Sequence, residues 1–234
     1  MKISRRPQHT RMRFFLSTIA AQTHFVTCVL AAVSLFFLVP LASVHGTAHV
    51  ASAVIFAGTA VNVFGVSAFY HFVSDGYQAS PKLISLLEKL DHWAIYLFIA
   101  GTYTPVLLNL VSPPWQLVLM IGIWTCAVIG ILYTKFRDSL PKWAQSRAVY
   151  TGVFLFMGWI LLVRIGEVWA NLSSSGAWYL FGGAASYSVG AVVYVKEWPK
   201  LFPGFFGFHE LWHIFVTVGF ICHFLLIWNF YSPF

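Results

Sequence analysis

The chain has 234 residues, of which 9% are charged and 59% are apolar or aromatic, against about 25% charged residues in an ordinary soluble domain. That composition excludes a soluble globular enzyme. It fits an all-α integral membrane protein, a single domain over 1–234 with room for about seven helices of roughly 20 residues. The formal charge of +7 falls in stretches beside apolar runs, so it reads as membrane topology and no nucleic-acid partner is expected.

A short basic segment, 1–13, opens the chain with Lys2, Arg5, Arg6, Arg11 and Arg13. Phe14 to Ala21 is expected as an interfacial helix leading into the first span. A cleaved secretory leader fits less well, because the apolar stretch is long, is interrupted by Gln22-Thr23-His24, and lacks a clear small-x-small cleavage site. Windows of about 20 apolar residues then place spans near Phe25 to Ser43, His49 to Tyr70, Asp91 to Leu110, Gln116 to Tyr133, Tyr150 to Val168, Ala177 to Val195 and Phe208 to Phe230. Pro40, Pro81, Pro113, Pro114, Pro141, Pro199 and Pro203 are expected in or beside the connections.

Basic residues alternate sides of these spans. Lys82 and Lys89 follow the second span, Lys135, Arg137, Lys142 and Arg147 the fourth, and Lys196 and Lys200 the sixth. Only Arg164 falls towards the other side, spaced for a helical pair with Glu167. The positive-inside rule predicts a cytoplasmic N-terminus and an external C-terminus, which a seven-transmembrane helical bundle satisfies. Cys28, Cys126 and Cys222 each lie within a span and read as small core residues.

At the start of the last span, His209-Glu210-Leu211-Trp212-His213 puts two imidazoles on one helical face. Such a pair alone is a weak metal signal. The predicted orientation also brings Ser67 and His71, at the end of the second span, and Asp91, at the start of the third, to the same membrane depth. His71, His209 and His213 are thus the candidate metal ligands, with a water in the fourth position, the open arrangement of catalytic zinc. Asp91 is the candidate general base and proton donor, or a further ligand. Ser67, four residues before His71, could orient the imidazole, the water or a substrate carbonyl, or could bond its own preceding turn.

The same stretch also matches H-E-x-x-H, in which Glu210 would be the base of a metalloprotease, although no acidic residue follows Glu210 as a further ligand. His223 lies about 21 Å beyond His209 along the helix and cannot share one metal with it. His92 points about 100° away from Asp91, and His24, His45 and His49 have no evident partner.

Three blocks, Ser67-Ala68-Phe69-Tyr70-His71, Leu90-Asp91-His92-Trp93 through Thr104-Pro105, and His209-Glu210-Leu211-Trp212-His213 with Cys222-His223-Phe224, resemble the hemolysin III family in family order. That family is the bacterial branch related to progestin and adipoQ receptors. The resemblance implies a seven-helix bundle in the bacterial plasma (inner) membrane, a Zn2+ near the cytoplasmic face on His71, His209 and His213, Asp91 as the acidic partner of the water, and Ser67 beside it. One departure is the absence of acidic residues from Arg13 to His24, where family members often carry them. Relatives in the wider superfamily are associated with lipid-amide hydrolysis, and bacterial ones with haemolysis and membrane-lipid homeostasis.

The expected function is metal-dependent hydrolysis of a lipid amide or ester, with a membrane lipid as substrate or ligand. The alternatives are a membrane-perturbing, pore-forming haemolytic protein, or a non-catalytic lipid sensor in which zinc is structural.

Overall fold

Inside a bilayer every backbone N–H and C=O must find its partner within the protein, which restricts spanning segments to helices or closed barrels. The computed structural model describes residues 8–76, 79–202 and 206–232, with side chains from residue 19 onward except at 75 and 76. It is helical throughout, with a lone antiparallel bridge between Phe202 and Phe206 before the last helix. The helices are α1 (Gln8–Ser43), α2 (Thr47–Gly76), α3 (Pro81–Leu110), α4 (Trp115–Phe136), α5 (Arg147–Trp159), α6 (Ile165–Asn171), α7 (Ser174–Lys196) and α8 (Phe208–Tyr231). A 3-10 segment, Ile160–Arg164, joins α5 to α6, so these two make one crossing and the bundle has seven rods.

Six rods are long and apolar enough to cross a membrane, beginning with Ile19–Ser43 and ending with Phe208–Tyr231. The remaining rod, α7, is 23 residues long and so spans about 34 Å, enough for a hydrocarbon core of about 30 Å. Its hydropathy is diluted by serine and glycine, and Gly183 and Gly190 let α8 approach closely. Outward-facing residues such as Phe36, Phe72, Leu117 and Trp178 are exposed as an apolar surface for lipid.

Several boundaries differ from the sequence reading. The interfacial helix expected at Phe14 to Ala21 is instead continuous with α1, which runs unbroken from Gln8. Residues 1–7 of the basic segment lie outside the described residues. Pro40 lies in the last turn of α1, beside the connection to α2 as expected. The third helix begins ten residues before Asp91, because Ser80 caps its N-terminus by accepting from Leu83 N–H and Pro81 takes the first helical position. Asp91 is therefore not a helix-start carboxylate stabilised by the dipole. The neighbouring Lys89 bonds Asp138 through its ammonium at 2.6 Å.

The 3-10 break in the fifth crossing leaves backbone groups that α3 repairs. Tyr103 donates its hydroxyl to Gly158 C=O at 2.8 Å and accepts from Leu161 N–H at 3.1 Å. Arg164, the basic residue at the end of the bundle away from the others, forms the anticipated pair with Glu167 at 2.9 Å.

The core has two centres. One packs Tyr96, Leu107, Ile123, Met157 and Leu226. The other is an aromatic floor where Phe64 meets Phe220 at 5.3 Å and Phe98 at 5.8 Å between ring centroids. Close approach of α4 to α3 depends on Gly130, where an added Cβ would fall 2.3 Å from the Tyr96 ring. Gly130→Val should therefore destabilise the bundle by about 1–3 kcal/mol, measured as a lower unfolding midpoint in detergent, whereas Gly122→Val, with open space around it, should be near neutral.

Candidate metal centre

The spacing of His209 and His213 along α8 turns both imidazoles to one face, and the end of α2 brings His71 to the same point. The three rings converge with centroids 4.7 to 5.0 Å apart. His209 Nε2 lies 3.4 Å from His71 Nε2 and 3.1 Å from His213 Nε2, and one ligand atom from each residue falls within 4.8 Å of the others. A tetrahedral ion held at about 2.0–2.1 Å by nitrogen separates its ligands by about 3.3–3.4 Å. Two of the three edges thus already have the size that a metal requires, and the cluster could hold one ion.

The other nitrogen of His213 supplies a second observation. Its Nδ1 lies 2.9 Å from His24 Nε2, in a buried contact between α8 and α1. If Nδ1 carries the proton and donates to His24, the Nε2 lone pair of His213 faces His209 and His71, the tautomer a ligand must have. His24 is only 4% exposed and stacks edge-on against Phe64, so aromatic packing fixes its ring. The sequence reading left His24 without a partner. Its partner is 189 positions away, and no local spacing in the sequence marks the pair.

Asp91 lies on α3 among His71, His92 and Ser67, with which it lines the cavity wall. Ser67 is buried at the end of α2, and it borders the same cavity as Asp91 and His71. His92 is turned to the Glu88 carbonyl, 2.7 Å from its Nδ1, and its ring packs edge-on against Tyr150. Glu210 accepts from Gly207 N–H at 2.8 Å, closing the first turn of α8. The carboxylate of the H-E-x-x-H pattern is thereby engaged as a helix cap. His45 and His49 meet Tyr231 at the opposite end of the bundle, far from this cluster.

Two spaces meet at the site. On the side of the basic connections is a vestibule of about 650 Å3, bordered by Ser74, Glu88, Arg147 and Glu210 as well as His71, Asp91 and His209. Towards the membrane interior runs a narrow, mainly apolar cavity of about 170 Å3, walled by α3, α5, α7 and α8. Along α3 it borders residues from Asp91 to Val106, a stretch of about 22 Å. The histidines therefore sit where a polar space meets an apolar one.

Residues 14–224 match the family model described as Haemolysin-III related. The chain is 37% identical to Hemolysin-3 of Bacillus cereus over 215 residues, 90% of each chain, and 32% identical to Hemolysin-3 homolog of Bacillus subtilis (strain 168) over 201 residues, 85% of this chain and 86% of that one. It is also 27% identical to ADIPOR-like receptor IZH2 of Saccharomyces cerevisiae over 173 residues, 65% of this chain and 52% of that protein. Together with the spanning rods, the bacterial relatives make this an integral multi-pass protein of the bacterial plasma membrane.

His24→Ala should weaken metal binding by about 10–100-fold without abolishing it, measured by chelator competition for Zn2+ on the detergent-purified chain. His24→Gln, which keeps an acceptor for His213, should recover part of the loss. His71→Ala should remove measurable binding.

Proposed function

The chain belongs to the haemolysin III family, and from that premise we propose that it is a zinc-dependent hydrolase of lipid amides or esters. In this reading its N-terminus and the site are cytoplasmic, its C-terminus is external, and its activity serves membrane-lipid homeostasis. The observation that carries the proposal is the junction of a polar vestibule and an apolar cavity at three convergent imidazoles, with a carboxyl group on the wall. The orientation is supported by Lys82, Lys89, Lys135, Arg137, Arg147 and Lys196 lying at the site's end of the rods, while Arg164 at the other end is neutralised by Glu167.

His71, His209 and His213 would hold the zinc through their Nε2 atoms. When bound, zinc lowers the pKa of a water towards about 7 and polarises a carbonyl oxygen. Asp91 accepts the proton that the water gives up as its oxygen bonds to the carbonyl carbon, and returns it to the departing amine or alcohol as the old bond breaks. Ser67, beside Asp91 on the cavity wall, would donate to its carboxylate and steady it. The aromatic floor of Phe64, Phe98 and Phe220 excludes water from below. A substrate drawn from the bilayer would enter between α5 and α7, where Leu155, Trp159 and Ser188 border the cavity and Trp159 is 38% exposed to the lipid side.

Elemental analysis of purified protein should find about one zinc per chain, lost in a folded His209→Ala/His213→Ala double variant. Asp91→Asn should keep its metal and lose at least about 100-fold in fatty-acid release from lipid amides and esters. Glu210→Gln, which still accepts from Gly207, should retain near wild-type turnover; a loss as deep as that of Asp91→Asn would favour the metalloprotease reading. Ion leakage from liposomes that persists in Asp91→Asn, with no product from any lipid, would overturn the hydrolase in favour of a membrane-perturbing protein.

A further inference from the structure

Deep in the apolar cavity, the wall carries two polar rings that the proposed hydrolysis does not use. Tyr187 of α7 and His223 of α8 both border the cavity, with ring centroids 5.5 Å apart. His223 is 8% exposed, and neither of its nitrogens has a hydrogen-bond partner among the described residues. One nitrogen is directed towards the Leu180 carbonyl without reaching bonding geometry. The Tyr187 hydroxyl is likewise buried and unpartnered among them. His223 is ten residues beyond His213 on α8, so the pair lies about 15 Å below the zinc ligands, near the middle of a hydrocarbon core about 30 Å thick.

Unpaired donors and acceptors at that depth are costly, and ionisable side chains kept there mark functional positions. The backbone is also shaped to hold these two. A Cβ at Gly183 of α7 would come within 2.7 Å of the His223 ring, and one at Gly219 of α8 within 2.5 Å of the Tyr187 ring. Each helix thus offers a glycine notch to the polar ring of the other. The two rings are held rigidly against opposite helices, side by side on the cavity wall.

We propose that Tyr187 and His223 form a second recognition point, which binds a hydroxyl group carried partway down the chain of a lipid whose polar end lies at the zinc site. A phenol donates, and a neutral imidazole both donates and accepts, so the pair can give a hydrogen bond to a hydroxyl oxygen and take one from its proton. A saturated chain leaves these atoms unpaired, whereas a chain hydroxyl satisfies them where no water competes. The proposal rests on the preceding section for the placement of a lipid, with its polar end at the histidines and its chain in the cavity, but not on its hydrolysis. Binding, not turnover, is therefore its test.

The measurement is displacement of a fluorescent fatty acid from the full zinc-loaded chain in nanodiscs. Competitors are stearic acid and hydroxystearic acids with the hydroxyl near the carboxylate, at mid-chain or near the methyl end. One deep position should bind about tenfold more tightly than stearic acid. Tyr187→Phe, which removes a single oxygen and keeps the ring over Gly219, should abolish that preference and leave stearic acid affinity unchanged; His223→Leu should do the same. Equal binding of plain and hydroxylated chains by the wild type would overturn the proposal and leave the two rings sharing a buried water. A preference that survives Tyr187→Phe would equally overturn it. Failure of the hydrolase would appear separately, as no product from any lipid, and would leave the binding result standing.

Discussion

Four imidazoles, those of His24, His71, His209 and His213, converge at one point of the bundle, where their nitrogens meet one another and could share a common ion. Much of the architecture follows from that convergence. The last helix must present two of the rings, α2 must end against it, and α1 must approach closely enough for His24 to reach His213. One turn further along α8, Thr27 and Thr217 hydrogen-bond at 3.0 Å and hold α1 to that helix. At the opposite end Ser52 and Tyr231 do the same for α2 at 2.7 Å. The last helix is consequently the hub of the bundle, bonded to its neighbours at both ends by polar side chains that the membrane leaves no alternative partner.

The connections over the vestibule are tied in a different manner. Arg137 pairs with Glu88 and Arg147 with Glu197, each at 2.9 Å, and Lys89 with Asp138. These pairs are partly solvated, so each contributes little to stability. Their joint effect is geometric, since they link the connection after α4 to α3 and the end of α7 to α5 around the mouth of the site. Arg147 also lies 4.6 Å over the Tyr194 ring, which borders both spaces.

Hydropathy and charge alternation made the seven crossings legible, because bilayer thickness imposes a length that the sequence must match. Even α7 could be read this way despite its serines and glycines, which serve helix contact more than lipid contact. The start of α3 was not legible: its first ten residues include Lys82, Glu88 and Lys89, and an apolar window passes over a helix that continues beyond the membrane. The convergence of His71, His209 and His213 could be anticipated from helical spacing and topology together. His24 could not be, because its partner is 189 positions away and nothing local marks it. The pairing of Tyr187 with His223 was hidden for a related reason, since its signature is two glycines whose role appears only when the helices are side by side.

The fifth crossing departs from a regular helix where it borders the cavity, and Tyr103 stitches the interruption by serving both a carbonyl and an amide of the broken turn. A straight helix would satisfy those groups by itself and would make the tyrosine's hydroxyl redundant. It would also alter the wall formed by Gly158, Trp159 and Leu161, all of which border the cavity. Capacity for a guest and regularity of the fold are therefore in opposition along this one rod. Engineering that repairs its irregular turn for thermal robustness would erode the space inside, so a sturdier protein would be a less hospitable one.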